Sequence, residues 1–426
     1  MPKYLIVGAS AAGIGAVEAI REVDQTGSIT IISEEACPQY SRPMIGDFVS
    51  GKADFHKMKC RTDEFWKENN VEALTGRKAT ALNLNEKTVQ LESGEKVAYE
   101  KMLLATGGKP FVPKMEGSEK DGVFTFTTIA DAQRLAAKID SINAKAAVVI
   151  GAGLIGISVT EALMKRGLKV TMVELQEKIL SLLLDAKASD LVEGVVKKAG
   201  VDIVTGQSVQ KILGKLDNDG VVGGVMLTKG DQVPCDLVIV AIGVVPRTEL
   251  VAGTAVKTNR GIVVDNVMQT NVPDVYASGD VAEAYDFIMN QNRLLPLWPL
   301  AVLEGQVAGY NMAGKKTAYM GGTNMSSLKY FDIPIVSIGL ANPKEDPALE
   351  VLVKNDAERN VYKKLVLKNN VIVGLTLVNC IERAGVLFYL MKNTINVKKF
   401  KQKLLSDDFG LATLPVGLQR KMCVVQ

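Results

Sequence analysis

Two stretches of this 426-residue chain space their glycines in a way that suits phosphate binding. In "VVIGAGLIGISVTEALMKRG", from Val148 to Gly167, Gly151, Gly153 and Gly156 fit G-x-G-x-x-G. The first glycine permits a tight turn, the second lets backbone approach a pyrophosphate, and the third lets helix and strand pack closely. Leu154 and Ile155 open the following helix, whose free N–H groups and partial positive charge favour phosphate. Glu174, at the end of the next strand, can accept hydrogen bonds from a ribose 2′-OH and would repel a 2′-phosphate. The expected ligand is therefore NAD(H) rather than NADP(H).

The N-terminus, "KYLIVGASAAGIGAVEAIRE", repeats this pattern in degenerate form. Gly8 and Gly13 hold the outer positions, Ser10 stands where the second glycine belongs, and Ala11 and Ala12 lie between. Serine is small enough to keep the close approach. Glu34 ends the following strand as the natural ribose acid, with its neighbour Glu35 read as a solvated charge. A third signal is "TNVPDVYASGDVAEA", where Gly279 and Asp280 follow a short strand. A carboxylate there, followed by an expected helix N-terminus, can hold the ribityl chain of a flavin.

The elements that must position these residues are legible. Apolar strand, glycine turn, alanine-rich helix and the β-branched "SITIISEE" make a β-turn-α-β unit in the first thirty-odd residues. The middle repeats it with "AAVVIG", "GAGLIG", a helix to Arg166 and "KVTMVE". The helical "DAKASDLVEGVVKKAG" and the strands "VDIVTG" and "DLVIVAIG" continue the α/β alternation. From about Ser326 hairpin signals take over, as in "VYKKLVLKNNVIVGLTLV" with Asn369-Asn370 at the turn, and the helix "RAGVLFYLMKN" follows. The fold class expected is α/β, with two Rossmann-like dinucleotide-binding domains and a C-terminal α+β domain.

Composition removes other classes. Fifty basic and 47 acidic residues leave a net charge of +3, which makes no case for nucleic acid. The longest uncharged stretch, Ala146 to Thr160, is too short for a membrane span, and no secretory signal is evident. Five cysteines (Cys37, Cys60, Cys235, Cys380, Cys423) form no C-x-x-C pair, which suits a reducing cytoplasm. His56 is the only histidine, so no His-Cys or Ser-His-Asp constellation can be assembled, and no histidine-rich or cysteine metal site exists.

With "LLATGGKP", "AIGVVPRTEL", "YSRP", "LWPLAVLEGQVAGYNMAG" and "LVLKNNVIVGLTLVN" added, the chain resembles the two-dinucleotide-domain flavoprotein disulfide-reductase superfamily. Within it, the chain is similar to NADH:rubredoxin reductases, ferredoxin reductases and the flavin region of nitrite reductase large subunits. The resemblance implies FAD at the first turn and NADH at the second. It also implies a discontinuous FAD domain, 1–112 and 245–318, interrupted by an NAD domain, 113–244, and followed by an interface-type domain, 319–426, with a homodimer possible. It carries flavin contacts over to Arg42, Pro43, Ala79, Ala105, Thr106, Gly107, Asp280 and Pro299, and a cofactor contact to Gly243.

The chain departs from its group in places. The single redox cysteine that some relatives use falls at about Pro43, so disulfide and peroxide chemistry are not expected, and Cys37 and Cys60 are read as inert. Relatives often carry lysine at Asp47, arginine at Thr127 and glutamate at Ser158, with Glu161 a possible substitute for the last. The expected activity passes hydride from NADH to FAD and then electrons to an acceptor. That acceptor is first a small iron–sulfur or rubredoxin-like protein, alternatively dioxygen; a nucleotide-binding structural subunit without turnover is the non-enzymatic alternative. Between Lys392 and Lys403 five lysines occur with no acid, which would suit an acidic electron carrier.

Overall fold

The computed structural model describes residues 2–423 and divides into two compact units. One comprises 1–113, 124–143 and 241–322; the other comprises 114–123, 144–240 and 323–426. Each is built on a parallel sheet.

In the first unit, strands run in the order Val275–Ala277, Lys101–Leu104, Tyr4–Val7, Ile29–Ser33 and Val71–Thr75. All four pairings are parallel. The three inner strands are buried along nearly their whole length, as their unbroken apolar runs require when helices cover both faces. The crossover helix Ala11–Val23 lies against helix Trp298–Met312, and small residues set how closely they approach. A Cβ on Gly305 would fall 2.0 Å from the Ala12 carbonyl oxygen, and one on Gly309 would fall 2.5 Å from that of Ala16. No side chain larger than hydrogen fits there without parting the helices.

In the second unit, strands Asp202–Val204, Lys169–Val173, Ala146–Ile150 and Leu237–Val240 lie side by side in that order, again all parallel. Helix Leu154–Lys165 crosses between the middle pair, and helix Ala186–Lys198 follows. The chain from Met325 onward forms a five-stranded antiparallel sheet with helix Ala384–Lys392 packed on it. Strands Val361–Lys368 and Val371–Val378 meet at Asn369 and Asn370, both left-handed (φ 52° and 60°). That is the type I′ geometry that a two-residue hairpin demands and asparagine tolerates. Asp185, which caps helix Ala186–Lys198, also accepts from Tyr362 Oη at 2.6 Å and pairs with Lys364 at 2.8 Å, tying that helix to this sheet.

The helix expected after Asp280 is absent. A three-residue 3₁₀ turn, Gly279–Val281, leads into strand Ala282–Asp286, which pairs with Ile262–Val263 and Gln291–Leu294. Alanine and glutamate favour helix locally, but strand partners on both sides override that preference. The buried Glu283 is satisfied in this arrangement by the Gly261 N–H at 2.6 Å. Among the described residues, no helix is long and apolar enough to cross a membrane, and no group of three or more His, Cys, Asp or Glu could hold a metal.

Candidate functional site

The two fingerprint turns obey the same steric rule. A Cβ on Gly13 would lie 2.0 Å from the Gly8 carbonyl oxygen, and one on Gly156 would lie 1.9 Å from that of Gly151. Gly8 and Gly151 turn at φ +119° and +100°. A Cβ on Gly153, by contrast, would meet no atom within 4 Å. The outer glycines serve the turn itself, whereas the middle position faces open space, as close approach of a phosphate requires.

Both turns present bare helix N-termini. Helix Ala11–Val23, with Ser10 at its N-cap, and helix Leu154–Lys165, with Gly153, have no side-chain cap and no acid in the first turn. Helices Ile129–Ile142 and Ala186–Lys198 are instead capped by Thr128 and Asp185. Helix Trp298–Met312 also lacks a side-chain cap, with the exposed Pro299 in its first turn. Uncapped N–H groups and the helix dipole make such ends receptive to anions.

Around the first turn, Arg42 is held by three groups. It donates to Ser10 Oγ at 3.3 Å and Thr127 O at 3.0 Å, and it pairs with Glu35. Glu35 also accepts from Tyr40 Oη at 2.6 Å. Glu35 is therefore an anchor for the "YSRP" segment and not the solvated charge expected of it. Arg42 reaches the main chain at Thr127, the position where the sequence resemblance leads one to expect an arginine.

Glu34 stands just past strand Ile29–Ser33, paired with Arg247 and, at 3.5 Å, with Lys78. Burial works to raise its pKa, but the two cations outweigh it and hold the carboxyl below its ordinary range. Thr106 Oγ1 donates to Arg247 O at 2.8 Å, which places the Ala105–Gly107 turn beside that segment. Gly107 and Gly243 have left-handed φ (+70° and +125°) and no atom near a Cβ. Ala79 begins strand Ala79–Asn83, and Pro43 is exposed on a 3₁₀ turn with no thiol in its place.

Asp280 is half-buried, and burial raises its pKa against the pull of Arg42. Behind it lies a residue that sequence reasoning missed. Glu304, on helix Trp298–Met312, is buried and accepts from Gly279 N at 2.8 Å and from Tyr319 Oη at 3.2 Å. Its signal was a single acid inside "LAVLEGQVAG", where Gln306 is the only other polar side chain. Ser278 Oγ beside it is buried without a partner. The residues of this unit fit a flavin dinucleotide: bare helix ends, an anchored guanidinium, and acids at Glu34 and Asp280.

In the second unit Glu174 is fixed to its own turn, accepting from Ala152 N at 2.7 Å and Gln176 N at 2.9 Å. Leu154 and Ile155 are part-exposed at the helix start. Ser158 is half-buried, and Glu161 does not substitute for an acid there. It accepts from Phe331 N at 2.8 Å and pairs with Lys165 at 3.1 Å, so it is spent on the C-terminal sheet. Asp47 pairs with Lys52 at 3.1 Å.

Three thiols are held protonated by burial. Burial pushes Cys60 and Cys380 above their ordinary range and Cys235 to about 12. Cys37 is exposed, and the side chain of Cys423 lies outside the described residues. His56 is exposed as well.

Residues 2–305 match the pyridine nucleotide-disulphide oxidoreductase family, and residues 325–395 match the C-terminal domain of rubredoxin NAD+ reductase. The chain is 32% identical over 414 residues to the epsilon subunit of NADH-dependent phenylglyoxylate dehydrogenase from Aromatoleum evansii, covering 96% of each. It is 28% identical over 385 residues to rubredoxin-NAD(+) reductase from Pseudomonas putida, covering 90% of this chain and 97% of that one. Its structure superimposes on the NADH-bound water-forming NADH oxidase from Lactobacillus brevis with a TM-score of 0.85 at 26% identity, over 93% and 92% of the two chains. Two glycine turns, each followed by its acid, thus belong to one known design: the chain is a member of the pyridine nucleotide-disulphide oxidoreductase family, flavoprotein oxidoreductases that use FAD and NAD(H).

Proposed function

We propose that the chain is an NADH-dependent reductase that delivers electrons to a small redox protein of the rubredoxin or ferredoxin type. In this reading residues 1–112 and 245–318 hold FAD, 113–244 hold NAD(H), and 319–426 form an interface domain that pairs two copies in the cytoplasm. The observation that carries it is the Gly279–Asp280 turn, backed by Glu304, in the same unit as the bare helix end at Ser10.

The chain's own work is positioning. The N–H groups after Ser10 and Gly153 receive the two pyrophosphates, and Asp280 accepts from the ribityl hydroxyls. Glu34 and Glu174 orient the two riboses, and Glu174 discriminates against a 2′-phosphate. FAD held there supplies hydride acceptance from the nicotinamide and onward release of electrons. No thiol relay enters, because Pro43 stands where a redox cysteine would sit.

Anaerobic mixing with NADH tests the reading: the flavin's visible absorbance should bleach rapidly and recover on adding oxidised rubredoxin or ferredoxin. A protein that binds both nucleotides and never bleaches would be a structural subunit instead. Recovery with dioxygen as fast as with either carrier would make it an oxidase. A second reading rests on the end-to-end match to the phenylglyoxylate dehydrogenase subunit: the electron partner is then a larger dehydrogenase assembly that holds this chain as a component.

A further inference from the structure

Glu304 has a position that flavin binding alone does not call for. It is 2% exposed on helix Trp298–Met312, at the point where Gly305 presses on the Ala12 carbonyl. A buried carboxylate normally carries a cation or several N–H donors. Among the described residues Glu304 has neither; its partners are one main-chain N–H, from Gly279, and one phenol, Tyr319.

The charged groups facing it are few. The 3₁₀ turn contributes Asp280, an acid, and the segment around Tyr319 faces Asp286, another acid. Arg42 acts on Asp280 but is occupied by Glu35, Thr127 O and Ser10, and Arg293 is directed to Asp286 at 3.5 Å. The facing helix Ala11–Val23 offers small residues there, Ala12 and Ala16.

We propose that Glu304 is a positioning residue of the flavin subsite: its neutral carboxyl fixes the Gly279–Asp280 turn so that Asp280 meets the ribityl chain, and its ionisation opposes flavin binding. The proposal rests on the FAD reading of that turn. A neutral carboxyl serves both contacts, its carbonyl oxygen accepting from Gly279 N and its hydroxyl sharing a hydrogen bond with Tyr319. An ionised one would place a second negative charge behind Asp280, in a pocket that also receives a pyrophosphate. Burial, first, and the Asp280 charge push the Glu304 carboxyl up to about 8, although its two hydrogen bonds oppose the shift. Flavin binding should then be accompanied by retention of this proton.

FAD affinity of the flavin-free protein, read by quenching of flavin fluorescence, should weaken by roughly fivefold or more between about pH 7 and about pH 9. E304Q keeps both contacts without an ionisable group, so its affinity should match that of the unmodified protein near pH 7 and stay flat. E304A should bind weakly at every pH. The only histidine is exposed and burial pushes three cysteines upward. Burial also raises Asp280, so the difference between the unmodified protein and E304Q, not the inflection alone, assigns the titration to Glu304. The infrared carbonyl band of a protonated carboxyl, lost as pH rises through about 8 and absent from E304Q, is the second readout. Equal pH dependence in the unmodified protein and E304Q, or no such band, would overturn the proposal. Loss of FAD binding at all pH values with the band intact would instead count against the FAD reading.

Discussion

At the scale of single residues, the site works by placing acids in contrasting surroundings. Glu34 and Glu174, the proposed ribose acids, are held one by cations and one by main-chain N–H groups. Asp280→Ala should lose hydrogen bonds worth about 1.5–3 kcal/mol, and flavin should separate from the mutant on gel filtration but not from the unmodified protein. Glu174→Arg should reverse coenzyme choice, raising kcat/KM for NADPH over NADH, since it swaps repulsion of a 2′-phosphate for attraction. Glu304 makes a separate claim on stability. Its carboxyl stays protonated in the folded chain to about pH 8 but ionises at its ordinary 4.5 in the unfolded one. The folded state therefore holds the extra proton between those values. Stability from this group is fully present below about 4.5 and falls as pH rises towards 8, by at most about 1.4 kcal/mol per unit. Urea midpoints measured across that range should slope downward, and E304Q should remove that component of the slope.

At the scale of elements, what could be read from sequence was whatever local chemistry decides. The strand-turn-helix units at Gly8 and Gly151 and the hairpin at Asn369-Asn370 follow from turn geometry that few residues satisfy. What could not be read depended on distant partners. The run after Asp280 becomes a strand because Ile262–Val263 and Gln291–Leu294 receive it. Glu35 becomes an anchor because Arg42 and Tyr40 approach it, and Glu304 becomes a site residue because helix Trp298–Met312 backs the Gly279 turn. The glycine geometry predicts an asymmetry inside one turn. Gly156→Ala should destabilise by more than about 3 kcal/mol, because its methyl would meet main chain. Gly153→Ala should leave thermal stability within about 0.5 kcal/mol and weaken NADH binding alone. Equal losses in the two melting curves would overturn that division of labour.

At the scale of the whole molecule, electron transfer requires a partner to find the chain. Of the five lysines between Lys392 and Lys403, the structure spends Lys401 on Glu350 at 2.8 Å. Lys392, Lys398, Lys399 and Lys403 remain exposed, so electrostatic steering of an acidic carrier would fall on these four, of which Lys398 and Lys399 are adjacent. Reversing both to glutamate should lower kcat/KM with such a carrier while leaving dye reduction by NADH unchanged, and the unmodified enzyme should lose activity with the carrier as salt rises. A flat salt profile would reduce these lysines to ordinary surface charge.

The contact between the outer glycines of each turn also limits how such a sequence can drift. Because Gly13 faces the carbonyl of Gly8, and Gly156 that of Gly151, a side chain at either third position would be rejected before any nucleotide is offered. In the second turn only the middle position is free of main-chain contact, and at the matching place the N-terminal turn carries Ser10, which accepts from Arg42. Over long divergence the motif should erode from its centre outward. Two glycines five residues apart would then outlast the third as the mark of a common ancestor.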